Sequence, residues 1–372
     1  MSYGGPLLRV AILAWALCLG ACAAPAPDTV LVNGKVFTSN PSQPWAEALA
    51  ISSERVIAVG ESADISRAAG SATRRIDLAG RVVIPGLNDA HLTLAGATPA
   101  SVRVLGADAV AQGVTSLQVF SLGPVAETVA AFREAQLPMR VRVLRMPMPD
   151  GTGANRDSRP FFPPQPTSRL DVRGMGFALA GSEGERMRQA VGWAYGSEDP
   201  LAVAGLDAQA AEDYVTALER HGVAEVWKAK RPRVEQAVAM PAAWFARLPR
   251  LGAVAVQVPR PGAPLRSFLE AGVALGLGSG DAFLGFAMIS LATAPALGGE
   301  ALTVEQALVA ATYGSAVSQF QETNKGRLIV GAVADLAVLD RDPFTAGEEE
   351  LGRIRSVLTM IGGRSVYDVP RP

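Results

Sequence analysis

The alternation of short apolar stretches with helical segments in the middle of the chain constrains the fold most. From Pro85 to Phe320, strand-like segments such as Val254 to Val258 are separated by segments such as Ala208 to Arg220, whose apolar residues recur every three or four positions. This repetition is typical of parallel α/β folds, and its length favours a (β/α)8 barrel over a doubly wound sheet. The 372 residues suffice for such a barrel and a smaller companion. The predicted fold class is therefore α/β, a TIM-type barrel plus a small second domain.

Both ends of the chain are rich in strand signals. Apolar stretches punctuated by Gly occur from Asp28 to Ile84 and again from Gly326 to Tyr367. In the first of these segments, two apolar stretches flank Asn33-Gly34, a pair that predicts a β-hairpin. We expect the two ends to meet in one composite β-sandwich domain. The predicted bounds are 23–84 with 325–372 for the β-sandwich domain and 85–324 for the barrel.

The first residues predict export. Arg9 precedes an apolar stretch from Val10 to Leu19, which has the length of a signal-peptide core and is too short to span a bilayer. The stretch ends in LGAC, which resembles the lipobox of bacterial lipoproteins and marks Cys22 for lipidation. Residues 1–22 are therefore interpreted as a signal peptide with a lipobox, and the product as a cell-envelope lipoprotein on the periplasmic side of a membrane. The alternative is an ordinary signal cut near Ala21 to Ala24, which gives a soluble periplasmic or secreted protein.

Cysteine usage and charge exclude several functions. The 2 Cys residues, Cys18 and Cys22, lie in the signal region, so the rest of the chain has no thiol for a disulfide, a nucleophile or a metal. The formal net charge of -1 indicates no basic surface for nucleic acid. The predicted partners are a small-molecule ligand or another protein, with a membrane reached only through the N-terminal lipid anchor.

A series of short strings points to a family. In chain order they are RVVIPGLNDAHLT (81–93), GVTS (113–116), RVEQA (233–237), LGLGSGD (275–281), KGRL (325–328), GAVADLAVLD (331–340) and the final Gly362-Gly363. They resemble the amidohydrolase superfamily, and in particular the branch similar to N-substituted formamide deformylases. The resemblance extends over nearly the whole chain beyond the signal region, with weaker stretches in the middle.

The resemblance implies metal-dependent hydrolysis of carbon–nitrogen bonds other than peptide bonds. In this chemistry a divalent metal lowers the pKa of a bound water and polarises the scissile carbonyl. Imidazoles and carboxylates at strand ends hold the metal and leave one position open. An Asp on the last strand takes the proton of the water and passes it to the leaving amine.

The residues at the corresponding positions do not preserve this ligand set. The chain has only 2 His, and the resemblance places His91 at the first imidazole. The other positions carry residues that bind zinc or nickel weakly or not at all: Thr93 for the second imidazole, Gly176 for the bridging lysine, and Ala204 and Gln236 for the later imidazoles. The second histidine, His221, is predicted to end a helix, where an imidazole meets the helix dipole favourably. No metal site is therefore predicted, and a divalent metal is expected only if the family activity survives.

Two residues are the candidates for any remaining chemistry, His91 and Asp281. An additional Gly280 leaves Asp281 either at the catalytic position or one residue beyond it, where a strand turns its side chain to the other face. The simpler interpretations are that His91 is hydrogen bonded to neighbouring strand ends and that Asp281 caps a turn. Asp89 would complete a site made from one imidazole and two carboxylates.

Charged residues around the RVEQA string have a structural interpretation. Lys228, Lys230 and Arg233 are expected to form a solvated strand entrance, with binding of an anionic ligand as the alternative. Glu235 is expected to pair with one of these bases.

Three functions remain open from the sequence. The first is a non-catalytic relative that binds a small molecule or a partner at the barrel mouth. The second is an active amidohydrolase with an unusual site made from His91, Asp89 and Asp281. The third is a structural envelope protein attached through Cys22. The loss of ligand residues from an otherwise recognisable scaffold favours the first.

Overall fold

The computed structural model describes residues 26–145, 169–178, 184–197 and 200–369, with the backbone alone for 172–178. The predicted signal peptide and Cys22 lie outside the described residues.

Strands and helices alternate along the described chain. The strands are β1 Thr29–Val32, β2 Lys35–Phe37, β3 Trp45–Ala46, β4 Ala48–Ser52, β5 Arg55–Gly60, β6 Arg74–Asp77, β7 Val82–Pro85, β8 Leu87–Leu94, β9 Val114–Ser121, β10 Arg140–Arg145, β11 Leu170–Ala178, β12 Leu201–Ala204, β13 Arg233–Glu235, β14 Val254–Gln257, β15 Ala274–Leu277, β16 Leu336–Leu339, β17 Ser356–Ile361 and β18 Arg364–Asp368. The α-helices are α1 Ser62–Ala68, α2 Pro99–Ala111, α3 Val125–Ala135, α4 Gly184–Gly196, α5 Ala208–Arg220, α6 Ala224–Lys230, α7 Ala242–Phe245, α8 Leu265–Glu270, α9 Ala287–Thr293, α10 Val304–Val309, α11 Ser315–Val317 and α12 Glu348–Leu351.

Local sequence signals start two of the longer helices. Thr98 caps α2 by accepting a hydrogen bond from the Ser101 amide, and Pro99 occupies the first helical position, where no amide hydrogen is needed. Asp207 caps α5 by accepting from the Ala210 amide at 2.8 Å. These caps fix where the chain turns back after β8 and β12.

Strands β8 to β15 form one parallel sheet in which each strand lies beside the next in sequence. The first strand also meets the segment after the last. The Gly280 amide donates to the His91 carbonyl, and the Thr93 amide donates to the Gly280 carbonyl, each at 2.8 Å. The predicted α/β class and the strand order of a TIM-type barrel are therefore observed. Within the described residues, β8 and the chain beyond β15 pair through this one bridge, Leu92 with Gly280.

The eight-stranded sheet is buried on both faces. Along β9, Leu117 and Val119 belong to a large apolar cluster that includes Val102 of α2 and Phe132 of α3. Since side chains alternate along a strand, Gln118 faces the other side, and it is fully buried there. The helices thus cover one face, and the enclosed face carries polar groups.

Two further sheets are built from the chain ends. One has the order β5-β4-β1-β6, and the other has the order β18-β17-β16-β7-β2-β3. In the second sheet, β7 pairs with β2 in parallel and with β16 antiparallel, so both ends of the chain share one sheet. Leu31 and Leu49 of the first sheet and Leu336 of the second lie in a common apolar cluster. The domain bounds given above stay a prediction.

The predicted hairpin at Asn33-Gly34 is wrong. Strand β1 pairs with β4 and β6, whereas β2 pairs with β3 and β7 in the other sheet. Asn33 has φ 58°, and its side-chain amide donates to Asp77 Oδ1 at 3.2 Å. A Cβ on Gly34 would lie 2.3 Å from Leu78 Cδ1, so this position needs glycine. The Asn-Gly pair therefore supplies a left-handed turn with room for close packing, and the chain uses it to cross between sheets.

Within the described residues, no helix combines the length and the apolar character that crossing a bilayer requires.

Candidate functional site

His91 lies near the end of β8, where the first strand meets the segment after the last. Its side chain is 3% exposed. A Cβ on Gly278 would lie 2.5 Å from His91 Cβ and 2.6 Å from His91 N. Glycine at 278 therefore allows the chain after β15 to come this close to the backbone of His91.

Both ring nitrogens of His91 have partners. Nδ1 contacts Glu235 Oε2, and Nε2 lies 2.9 Å from Gln236 Nε2 and 3.3 Å from Thr93 Oγ1. The ring stacks on Phe120 with centroids 4.1 Å apart. With Nδ1–H donated to the carboxylate, the Nε2 lone pair accepts a hydrogen bond from the Gln236 amide. The nitrogen that could bind a metal is thus already engaged.

Gln236 is held toward His91 by its backbone. It has φ 52°, a left-handed conformation that a residue with a side chain rarely adopts. The backbone N–H of Gln236 donates to the Val256 carbonyl at 3.1 Å, and the backbone carbonyl of Gln236 accepts from Arg260 Nη2 at 3.1 Å. These bonds stabilise the turn that directs the side chain to the imidazole.

Glu235 and Arg233 form a buried ion pair behind the imidazole. Arg233 Nε lies 2.6 Å from Glu235 Oε1, and Arg233 also donates to Gln118 Oε1 and, at 2.9 Å, to the Ala90 carbonyl. The predicted pairing of Glu235 with a nearby base is thus observed. Burial lowers the pKa of Arg233, and the adjacent carboxylate opposes that shift.

The predicted solvated position of Arg233 at a strand entrance is wrong, because its side chain is buried. Its side chain is 2% exposed, because it packs against Gln118 of β9 and the Ala90 carbonyl of β8. Gln118 continues the contacts by donating to Ser318 Oγ at 2.9 Å. We call this set the polar network, and its members are Ser318, Gln118, Arg233, Glu235, His91 and Gln236.

Asp89 connects β8 with the segment that follows β15. Its Oδ1 accepts hydrogen bonds from the amides of His91 at 3.1 Å and Ser279 at 3.0 Å. Its buried Oδ2 has no hydrogen-bond partner in the part of the chain that the structure describes. Burial raises the pKa of Asp89 to about 6, while the hydrogen bonds from Ser279 and His91 oppose the rise.

The structure brings together only part of the predicted site. Thr93 and Gln236 contact His91, as described. Ala204, the last residue of β12, lies beside Glu235 in the sheet register, and Gly176 of β11 lies beside Ala202. Neither position supplies a side-chain donor.

Asp281 and His221 lie apart from this set. Asp281 is exposed in a turn that follows Gly280, which has φ 80°. His221 is the C-terminal cap of α5, as predicted, and its ring packs edge-on against Tyr195.

The residues at the site do not fit a divalent transition metal. Among the described residues, no group of three His, Cys, Asp or Glu side chains is placed to hold a metal ion. His91 Nε2 accepts a hydrogen bond from the Gln236 amide, and the Glu235 carboxylate at Nδ1 is paired with Arg233. The Thr93 hydroxyl and the Gln236 amide are weak zinc ligands.

Sequence reasoning missed Gln118 and Phe120 and placed Arg233 in solvent. Arg233 and Glu235 are two apart on one strand and so share a face, which is a usable signal for their pairing. Gln118 and Phe120 stand two apart on β9 in the same way, but nothing in their local sequence indicates that they contact His91 and Arg233.

Solved structures with a similar fold cover most of the chain. A triazine hydrolase from Arthobacter aurescens matches with a TM-score of 0.72 and 18% identity, over 92% of this chain and 95% of that one. An adenosine deaminase from Xanthomonas campestris with bound zinc matches with a TM-score of 0.71 and 18% identity, over 93% and 94%. A metal-dependent hydrolase from Pyrococcus furiosus gives 0.68 and 18%, over 85% and 100%. These similarities establish a TIM-barrel-like fold with an additional domain.

Two sequence matches complete the comparison. The protein LONG AFTER FAR-RED 3 from Arabidopsis thaliana is 39% identical over 67 residues, which are 18% of this chain and 12% of that protein. The model of the amidohydrolase family matches residues 101–367, well over half of the chain. The chain therefore belongs to the amidohydrolase family.

Proposed function

We propose that this chain is a metal-free, non-catalytic member of the amidohydrolase family that binds a small molecule or a protein partner at the barrel mouth. The observation that carries the proposal is the bonding of His91. Its Nδ1 contacts Glu235, and its Nε2 accepts from the Gln236 amide, so neither ring nitrogen is free to bind a metal.

Charge inside the barrel supports the same conclusion. The Arg233 guanidinium already neutralises the Glu235 carboxylate, with 2.6 Å between Nε and Oε1. A second cation beside His91 would be repelled by this buried guanidinium, and the Glu235 carboxylate that contacts the imidazole is already paired with it.

Metal content tests the proposal directly. We expect elemental analysis of the purified mature protein to find far less than one zinc, manganese or nickel ion per chain. A double variant, Thr93→His with Gln236→His, adds two imidazoles beside His91, and we expect it to bind zinc at least tenfold more tightly than the unchanged protein in calorimetric titration.

A matched control variant tests whether two added histidines increase zinc binding at any position or only beside His91. Gln43→His with Gln209→His places two imidazoles at exposed positions, one in the bend between β2 and β3 and one in α5. This control is expected to bind zinc no more tightly than the unchanged protein. One firmly held metal ion per unchanged chain would refute the proposal.

An alternative function is hydrolysis of carbon–nitrogen bonds by an unusual site made from His91, Asp89 and Asp281. The observation in its favour is Asp89, because burial raises its pKa to about 6 and its Oδ2 is free within the described residues. The exposed position of Asp281 argues against it.

Hydrolysis assays distinguish the two functions. The mature protein is assayed against formamides and cyclic amides, with and without added Zn²⁺ or Mn²⁺. Activity that Asp89→Asn and His91→Ala abolish would establish the alternative. Absence of turnover supports the non-catalytic function, whereas turnover that survives both substitutions would exclude a site made from His91 and Asp89 and would also contradict the non-catalytic function.

We also propose that the protein is exported and anchored through a lipid on Cys22. The support is the apolar stretch from Val10 to Leu19 followed by LGAC. Membrane fractionation of cells expressing the full chain should recover it with membranes, and Cys22→Ala should release it. An unchanged distribution of the variant would contradict lipid anchoring.

A further inference from the structure

A groove lies between the two sheets built from the chain ends, away from the barrel. It is lined by β6 of one sheet and by β16, β17 and β18 of the other, and it encloses about 370 Å³. That volume is at the lower end of the range of about 300–1,000 Å³ found for small-molecule sites.

The floor of the groove is apolar. Ile76, Leu78, Val338 and Leu358 line it, and all four belong to the buried cluster between the two sheets. Val357 also lines the groove and packs against the same cluster. A ligand that lies on this floor contacts apolar side chains, which favours an apolar group at that end of the ligand.

Both acidic residues of the groove are engaged. Asp368 lies 3.6 Å from Arg74, in an exposed ion pair. Asp77 accepts hydrogen bonds from the Asn33 side chain at 3.2 Å and the Ala79 amide at 2.9 Å. In the described chain, Asp368 makes no hydrogen bond or ion pair with the third arginine of the groove, Arg81.

The arginines of the groove differ in what they contact. Arg75 donates to the carbonyls of Ser66 and Ala69, which close the preceding helix. The half-buried Arg81 lines the groove, and its guanidinium makes no hydrogen bond or ion pair with any residue in the described ranges. With three arginines and two aspartates, the lining also has a positive excess of one charge.

We propose that this groove binds a small ligand that combines an apolar body with one carboxylate group. The apolar body covers the floor around Ile76 and Leu358, and the carboxylate accepts hydrogen bonds from the Arg81 guanidinium. A planar guanidinium matches a carboxylate in two parallel hydrogen bonds, which makes this the anion that the arginine suits best. The site is separate from the barrel mouth and does not depend on what binds there.

Calorimetric titration of the mature protein with 3-phenylpropanoate tests the proposal. We expect 3-phenylpropan-1-ol, which lacks the charge, and acetate, which lacks the body, each to bind at least tenfold more weakly. Arg81→Gln should weaken 3-phenylpropanoate binding at least tenfold. Arg103→Gln, which changes an exposed arginine of α2, should leave binding unchanged.

A thermal melt of each variant shows whether it folds, and Arg81→Lys, which keeps the charge, should bind between the unchanged protein and Arg81→Gln. Absence of 3-phenylpropanoate binding would overturn the proposal. So would equal binding of the alcohol, or binding that Arg81→Gln leaves intact, since the ligand would then sit elsewhere, including at the barrel mouth.

Discussion

At the scale of single residues, the barrel interior is organised by the polar network. Arg233 and Glu235 are both buried, and each is the counter-charge of the other. His91 is held through Glu235, and its second nitrogen is held by Gln236. A buried charge that loses its partner is far more costly than an exposed one, so these residues should respond strongly to substitution.

Glu235→Gln removes the negative charge and leaves Arg233 buried without a counter-charge. We expect the free energy of unfolding to fall by about 3–5 kcal/mol in urea denaturation. The control, Glu134→Gln, changes a mostly exposed carboxylate 3.6 Å from Arg103 and should shift stability by less than about 0.5 kcal/mol. Equal stability of the two variants would mean that the ion pair does not hold the interior together.

Lys325 should make the stability of the folded protein depend on pH. It is buried, donates to Ser116 Oγ at 2.8 Å, and burial together with the nearby Arg142 lowers its pKa to about 7, while Asp335 opposes the shift. Between about pH 7 and pH 10.5 the unfolded chain binds this proton and the folded chain does not. This residue therefore makes stability rise with pH in that window, by about 1.4 kcal/mol per unit, and contributes no slope below pH 7.

Lys325→Met removes that slope. The difference in unfolding free energy between the unchanged protein and the variant should grow by about 1–3 kcal/mol from pH 7 to pH 9 in urea denaturation. A difference that stays constant across this range would show that Lys325 keeps its proton in the folded state.

The sequence predicts the site only in part at this scale. His91 and the residues at the lost ligand positions are read directly from the motif strings, because each string has a fixed spacing. Arg233 is misassigned to solvent, since a charged residue at the start of a strand is usually exposed and only the packing of neighbouring strands buries it. The sequence does not predict the stacking of Phe120 on His91, because the two residues lie on different strands and nothing local in sequence links them.

At the scale of elements, the connection between β1 and β2 decides how the two end sheets are joined. The Asn33-Gly34 pair passes the chain from one sheet to the other, with Gly34 packed against Leu78. Local turn chemistry is the same for a hairpin and for this crossing. Whether a hairpin or a crossing forms depends on whether β1 and β2 pair with each other or with β4, β6 and β7. These strands are distant in sequence, so the local sequence does not decide between the two.

Gly34→Ala tests the crossing. The added Cβ would lie 2.3 Å from Leu78 Cδ1 and 2.9 Å from Leu78 Cβ, so we expect a loss of about 1–3 kcal/mol in unfolding free energy. Gly60→Ala is the control, because a Cβ there meets nothing within 4 Å. If both variants melt at the same temperature, the close approach at Gly34 is not required.

At the scale of the whole molecule, the chain closes on itself through the six-stranded sheet. β7 lies between β2 from the start of the chain and β16 from its end. The strand–helix rhythm from Pro85 to Phe320 predicts the parallel eight-stranded order well, because each strand pairs with its sequence neighbour. The pairing of β7 with β16 follows only from the composite arrangement of the ends.

Ending the chain after Asn324 removes β16, β17 and β18 and leaves one edge of β7 unpaired. We expect the shortened protein to unfold at a lower urea concentration than the full chain when unfolding is monitored by circular dichroism, because an unpaired edge and an exposed apolar face remain. A chain that ends after Val369 keeps all eighteen described strands and should unfold as the full protein does. Cooperative unfolding of the shorter protein with an unchanged midpoint would show that the end sheet is not needed.

The pairing of β7 with β16 also affects how the protein is made. Pro85 pairs with Leu336, so at a synthesis rate of about 5–20 residues per second β7 waits on the order of ten to fifty seconds for its neighbour. An apolar strand with an open edge can recruit strands of other chains during that delay. Pro85 has no amide hydrogen to donate, which shortens the edge available to such strands. The last residue of β7 thus reduces the risk of aggregation while the nascent chain is incomplete.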